Sequence, residues 1–147
     1  MASEEATREQ LVVVLAVDGK EPSMNAFRYY IKYIHRQDNY VILTHAMQLP
    51  AMPSRDEWDR THKEARRASL TVEGQFSEMM DKYKINGTFQ AGMEKPGEFI
   101  IQTAEQHRAN LIVMGSRQLS AVKRALMGSV SDHVMHNAKC PVLVVRK

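Results

Sequence analysis

Segments with strand character alternate along the chain with segments whose apolar residues recur every three or four positions. The strand-like segments are 10–17, 40–46, 88–91, 111–114 and 141–145, of which 88–91 has the weakest pattern. An apolar run without polar alternation is typical of a parallel strand that is buried on both faces of its sheet. Pro141 cannot donate to a ladder, so it favours a strand start or an edge position. The pattern predicts five strands.

The remaining segments have helical spacing. The predicted helices begin near Pro22, cover about 56–83, extend from Pro96 to about His107, and follow Ser129. The long second helix carries an apolar stripe of Trp58, Ala65, Ala68, Val72, Phe76, Met79 and Tyr83. We expect Ser129 to cap the last helix by accepting a bond from an N–H near Asp132, and Asn86-Gly87 to form a turn before the third strand. Strands that alternate with helices predict a single α/β domain with a five-stranded parallel sheet.

The composition suits one domain and excludes several classes of partner. A chain of 147 residues buries about 68–70% of its unfolded surface. Twenty Lys and Arg residues against 17 Asp and Glu residues give a net charge of +3, far from a histone-like excess. Arg117, Lys123 and Arg124 lack an aromatic stacking platform, so no nucleic-acid partner is expected. Because Cys140 is the only cysteine and neither a signal peptide nor a membrane span is recognisable, we expect a cytoplasmic protein without a membrane partner.

Small and acidic residues follow the predicted strands at their carboxyl ends, where parallel α/β sheets bind ligands. If the first and fourth strands are neighbours, Asp18 and Gly115 face each other across one crevice. Asp18 would then accept hydrogen bonds from a ribose or an adenine edge, and Ala46 and Met114 would offer apolar surface to a base. Phosphate groups are expected at the start of the last helix, where N–H groups and the helix dipole attract anions, beside Gly128, Ser129, Val130 and Ser131.

Five motifs together resemble the universal stress protein family over nearly the whole chain. They are Val17-Asp18 after the first strand, His45 near the end of the second, LIVMGSR at 111–117, GSVS at 128–131 and CPVLVVR at 140–146. The resemblance implies a universal stress protein domain over 8–147 after a flexible segment 1–7, with a doubly wound sheet in the order 3-2-1-4-5 and helices on both faces. It also implies a stress-response role and a homodimer. We expect the homodimer to pair through the edge residues Val142, Leu143, Val144 and Val145.

In one branch of that family, ATP or AMP, optionally with Mg²⁺, binds through the pattern G-x2-G-x9-G-[ST]. This sequence keeps Gly115, Gly128 and Ser129 at that spacing but has Gln118 at the second glycine. The nucleotide-binding residues expected here are Ala16, Val17, Asp18, Ala46, Met114, Gly115, Arg117, Gln118, Gly128, Ser129, Val130 and Ser131. If position 118 needs a left-handed backbone, a non-glycine residue costs roughly 1–2 kcal/mol and weakens binding. If phosphate packs against a bare glycine backbone instead, Gln118 blocks it.

Little in the sequence predicts catalysis. The Walker pattern is absent and no Ser-His-acid or Cys-His signature replaces it, so nucleotide hydrolysis is expected to be slow at most. His133 and His136 lie three positions apart without a third ligand, so no metal site is expected. His45 is expected to be a buried strand residue with one hydrogen bond. Two alternatives to a nucleotide-binding module stay open: a dimeric scaffold with a degenerate nucleotide pocket, and a redox carrier that binds FMN, which rests on fold analogy alone.

Overall fold

The computed structural model describes residues 9–47, 54–116 and 129–146. Strands and helices alternate along the chain as the sequence pattern predicts. In chain order they are β1 (Val12–Ala16), α1 (Glu21–Tyr33), β2 (Tyr40–Ala46), α2 (Arg55–Lys82), β3 (Asn86–Gly92), α3 (Pro96–Gln106), β4 (Leu111–Gly115), α4 (Ser129–Asn137) and β5 (Val142–Val145). No helix in these described ranges is long and apolar enough to cross a membrane.

The five strands form one parallel sheet in the order β3-β2-β1-β4-β5, which confirms the predicted topology. Ala16 of β1 lies beside Thr44 of β2, and Leu15 lies beside Val113 of β4. The N–H of Val17 extends the first ladder by donating to the carbonyl of Thr44 at 2.8 Å. Strand order reverses between β1 and β4, and a doubly wound sheet opens a crevice at such a point.

Both faces of the sheet are covered, which explains why its central strands are continuously apolar. On one face, Phe27 of α1 and Phe76 of α2 pack edge to face at 5.2 Å over Leu15 and Leu43. On the other face, the helices α3 and α4 contribute Ile100, Ala104 and Val134, which pack against Val14, Ile42 and Ile112. These two cores hold the carboxyl ends of the strands in fixed positions.

The predicted apolar stripe of α2 is partly wrong. Trp58 and Tyr83 are 50% and 44% exposed and Ala68 is exposed, whereas Ser69 is buried. Adjacent helical residues are about 100° apart, so a polar residue on the inner face displaces the apparent stripe by one position. Ser69 is accommodated there because its hydroxyl pairs with His45, a contact that an apolar pattern does not reveal.

The turn predicted at Asn86-Gly87 is also wrong, because both residues belong to β3. The chain reverses before them, at Lys84, which has a φ of 53°. Gly87 pairs with Val41 of β2, and a Cβ atom at position 87 would lie 1.9 Å from the Val41 carbonyl oxygen. The glycine therefore serves the close approach of two strands rather than a turn.

Candidate functional site

A cavity of about 440 Å³ lies beyond the carboxyl ends of β1, β2 and β4. Its volume is in the range of small-molecule sites. It is lined by Ala16, Val17, Asp18, Pro22, Ser23, Thr44, Ala46, Pro96, Ile100, Met114, Gly115, Ser129, Val130 and Ser131. We call this cavity the crevice. It lies where strand order reverses, as the topology predicts.

Every residue of the expected nucleotide site that the structure describes lines the crevice, from Ala16 on β1 to Ser131 on α4. The predicted contacts Arg117, Gln118 and Gly128 lie outside the described residues. The sequence-based prediction missed Pro22, Ser23, Thr44, Pro96 and Ile100. Pro22 and Pro96 each lie in the first turn of a helix that begins beside the crevice. A proline near a helix start is recognisable in the sequence, so these two residues could have been predicted. The position of Thr44 depends on strand register, and that of Ile100 on helix packing.

The Asp18 carboxylate is held at the edge of the crevice by the turn that leads into α1. Its Oδ1 accepts hydrogen bonds from the N–H of Lys20 and from the hydroxyl of Ser23, both at 2.8 Å. The N–H of Asp18 in turn donates to the Ser23 oxygen at 3.1 Å. These two hydrogen bonds fix the orientation of the Asp18 carboxylate. Both of them end on Oδ1, and Oδ2 takes part in neither. Asp18 itself is exposed and can contact a ligand.

Gly115 ends β4 against the first turn of α1. A Cβ atom at this position would lie 2.2 Å from the carbonyl oxygen of Pro22 and 3.1 Å from the backbone nitrogen of Ser23. These are backbone atoms, which cannot move aside as the end of a flexible side chain can. The absence of a side chain at Gly115 thus allows β4 and α1 to meet and shapes the wall of the crevice.

The start of α4 closes the crevice on the β4 side. Ser129 is the first residue of this helix and is exposed, whereas Ser131 is 3% exposed. The first N–H groups of an α-helix have no partners within the helix and carry the positive end of its dipole. An anionic group in the crevice would therefore find donors at this end. The capping bond from Ser129 stays a prediction.

The wall formed by α3 and the end of β2 is mostly apolar. Ile100 is 4% exposed, and Pro96 and Ala46 are half-buried. A flat, mainly apolar ring suits such a wall, whereas a charged group suits the α4 end. The crevice therefore has two chemically different ends.

His45 does not line the crevice, because alternate strand residues point to opposite faces of the sheet. It is 7% exposed, and its Nδ1 lies 3.0 Å from the hydroxyl oxygen of Ser69. Burial lowers the pKa of His45, and the charge of Asp18 partly opposes this effect. The prediction of a buried strand histidine with one hydrogen bond is confirmed.

Metal-binding side chains are sparse in the crevice. Across the ranges that the structure describes, no cluster of three or more His, Cys, Asp or Glu residues could hold a metal ion. Asp18 is the one carboxylate among the described lining residues. A Mg²⁺ ion in this crevice would therefore depend on oxygen atoms of the ligand, as Mg²⁺ commonly does when it accompanies phosphate groups.

Known proteins are similar to this chain in sequence and in fold. The sequence is 28% identical over 140 residues to a universal stress protein of Methanocaldococcus jannaschii, covering 92% of this chain and 81% of the relative. The fold is similar to that of the universal stress protein UspA from Lactobacillus plantarum, with a TM-score of 0.77, 17% identity and coverage of 95% of this chain and 100% of the other. It is also similar to a universal stress protein family protein from Arabidopsis thaliana with AMP bound, with a TM-score of 0.72, 21% identity and coverage of 93% and 92%. Because the family model matches residues 12–146, almost the whole chain, this protein belongs to the universal stress protein family.

Proposed function

We propose that the crevice binds an adenine nucleotide, ATP or AMP, and that the protein is a stress-response module, non-catalytic or at most a very slow ATPase, whose bound state is read by partners. The observation that carries this proposal is the meeting of Asp18, Gly115 and the start of α4 around one cavity of suitable size. The similar Arabidopsis protein with AMP bound supports the choice of ligand.

The chain's only cysteine, Cys140, is unpaired, which is in keeping with a cytoplasmic location.

The two ends of the crevice suggest how the nucleotide is oriented. Phosphate groups would lie at the start of α4, where the N–H groups of Val130 and Ser131 belong to the first helical turn. The base would lie toward β2, against Ala46 and Ile100. Since β1 separates β2 from β4, these ends are about two strand spacings, or roughly 10 Å, apart. The ribose would then lie near Asp18, whose carboxylate accepts hydroxyl protons.

Calorimetric titration of the purified protein with ATP and AMP tests the proposal. We expect saturable one-site binding of at least one of them. Ala46→Trp, which fills the base end, should abolish binding, whereas the control Leu70→Trp, at a position 61% exposed on α2, should not. No heat and no thermal shift at millimolar nucleotide would favour the dimeric scaffold, and binding of FMN instead would favour the redox carrier.

Gln118 provides a prediction from the sequence, although it lies outside the described residues. Gln118→Gly restores the family pattern. If the side chain only obstructs the ligand, the substitution should tighten ATP binding about tenfold or more, the equivalent of 1.4 kcal/mol. The same titration measures this change. Weaker binding by Gln118→Gly would mean that the glutamine amide contacts the ligand, as its donor group allows.

We further propose a homodimer that pairs through β5. This strand is at one edge of the sheet, and its residues Val142, Leu143, Val144 and Val145 are half-buried against the two cores. Because the side chains are largely used within the protomer, the feature available to a second copy is the backbone of the edge. Two copies related by a twofold axis could satisfy these backbone groups reciprocally.

A further inference from the structure

Thr44 is a buried polar residue whose side-chain hydroxyl makes no hydrogen bond to the described residues. It lies on β2 and is 2% exposed. Its carbonyl accepts the N–H of Val17, but its hydroxyl oxygen has no hydrogen-bond partner among the described residues. A buried hydroxyl that lacks a partner destabilises a fold, and valine would fill nearly the same space without that cost.

Thr44 lines the crevice at the end of β2, which β1 separates from β4. Its neighbour across the ladder is Ala16, and Ile100 and Met114 line the same cavity. Thr44 is therefore a polar residue in a largely apolar part of the wall. Such isolated polar groups fix the orientation of a ligand in small-molecule sites.

Two other hydroxyl-bearing residues of the crevice, Ser23 and Ser131, already take part in interactions within the chain. The Ser23 hydroxyl pairs with Asp18 and with the carbonyl of Lys20. Ser131 also takes part in an interaction within the chain. Thr44 differs from both because it lines the cavity while its buried hydroxyl oxygen has no partner among the described residues.

We propose that the Thr44 hydroxyl hydrogen-bonds the base of the nucleotide in the crevice, an inference that rests on the proposed function. A hydroxyl can donate to a ring nitrogen or accept from an exocyclic amino group, and an adenine edge offers both. A ligand with no polar atom at this depth would leave the hydroxyl unpaired, and a buried group left unpaired discriminates strongly against such a ligand. Thr44 is thus a specificity-determining residue for a nitrogenous base.

The test compares the wild type, Thr44→Val and Thr44→Ser by AMP titration and by thermal unfolding without ligand. We expect Thr44→Val to weaken AMP binding about tenfold, the loss of one buried hydrogen bond, and to raise the unfolding midpoint by roughly 3 °C. Thr44→Ser keeps the hydroxyl and should bind AMP within about threefold of the wild type, well inside the tenfold step. Thr71→Val, the same change at an exposed position of α2, is the matched control and should alter neither the affinity nor the midpoint appreciably.

A second probe locates the contact on the ligand. Ribose 5-phosphate lacks the base, so Thr44→Val should not change its affinity, and an equal loss for both probes would overturn the assignment to the base. If Thr44→Val folds poorly, Thr44→Ala removes the same hydroxyl and should show the same loss for AMP. If the wild type binds AMP and these variants bind it with the same affinity, this inference is overturned and the proposed function stays intact. If the wild type binds neither AMP nor ATP, both are overturned.

Discussion

Gly115→Ala is expected to lower the free energy of unfolding by about 3 kcal/mol, the upper end of the usual cost of overpacking. The same substitution is expected to abolish AMP binding. The added Cβ would meet Pro22 backbone atoms at 2.2 and 2.5 Å, so β4 and α1 would have to separate. That separation would displace the turn that holds Asp18 and would move the wall of the crevice. Urea unfolding and AMP titration measure the two effects.

Gly74→Ala is the matched control for this change. Gly74 lies within α2, and a Cβ atom there would have no neighbour within 4 Å. Because alanine has the higher helix propensity, this variant should be more stable than the wild type by about 0.5–1 kcal/mol and should bind AMP unchanged. A Gly115→Ala protein as stable as the wild type, with AMP binding intact, would show that the close approach of β4 and α1 is not required.

Val144→Pro is expected to convert the proposed dimer to a monomer, raising its dissociation constant about a hundredfold or more. Pro141 and Val145 direct their carbonyl groups toward β4, where they accept from Ile112 and Ser116. Backbone groups of alternate strand residues point to opposite sides, so the N–H of Val144 points away from β4. Proline removes this donor. In a twofold interface the loss occurs twice, and two hydrogen bonds of about 1.4 kcal/mol each correspond to a hundredfold change.

Val144→Ala is the control for the edge, because it shortens the side chain but keeps the N–H. It should remain dimeric in sedimentation equilibrium. Leu143→Lys is a less specific way to disrupt the edge, since Leu143 packs against the core formed by α1 and α2. A wild-type protein that stays monomeric at high micromolar concentration, or a Val144→Pro protein that dimerises as the wild type does, would contradict pairing through β5.

Most residues of the candidate site could be predicted because they lie directly after the predicted strands or at the start of a helix, positions that are recognisable in the sequence. Asp18 and Gly115 each follow an apolar run, and Ser129 begins a helix. In a parallel sheet all carboxyl ends meet at one edge, so knowing the strands was enough to bring these residues together. Ser69 shows the opposite case. It is buried on α2 because His45 supplies a partner from another element, and hydrophobic spacing along one helix carries no information about that partner.

The sequence by itself determined the alternation of strands and helices, since burial on both faces requires continuously apolar strands and burial on one face requires periodic helices. It also determined which strand ends carry polar and small residues. Only the tertiary structure decided that Gly87 serves a contact between β3 and β2 and that Gly115 serves one between β4 and α1. It alone also placed Thr44, with its unpaired hydroxyl, in the wall of the crevice. The physical reason is that a periodic pattern indicates which positions of an element face the core. A close backbone approach or an unpaired hydroxyl depends instead on which atoms a distant segment places beside that position.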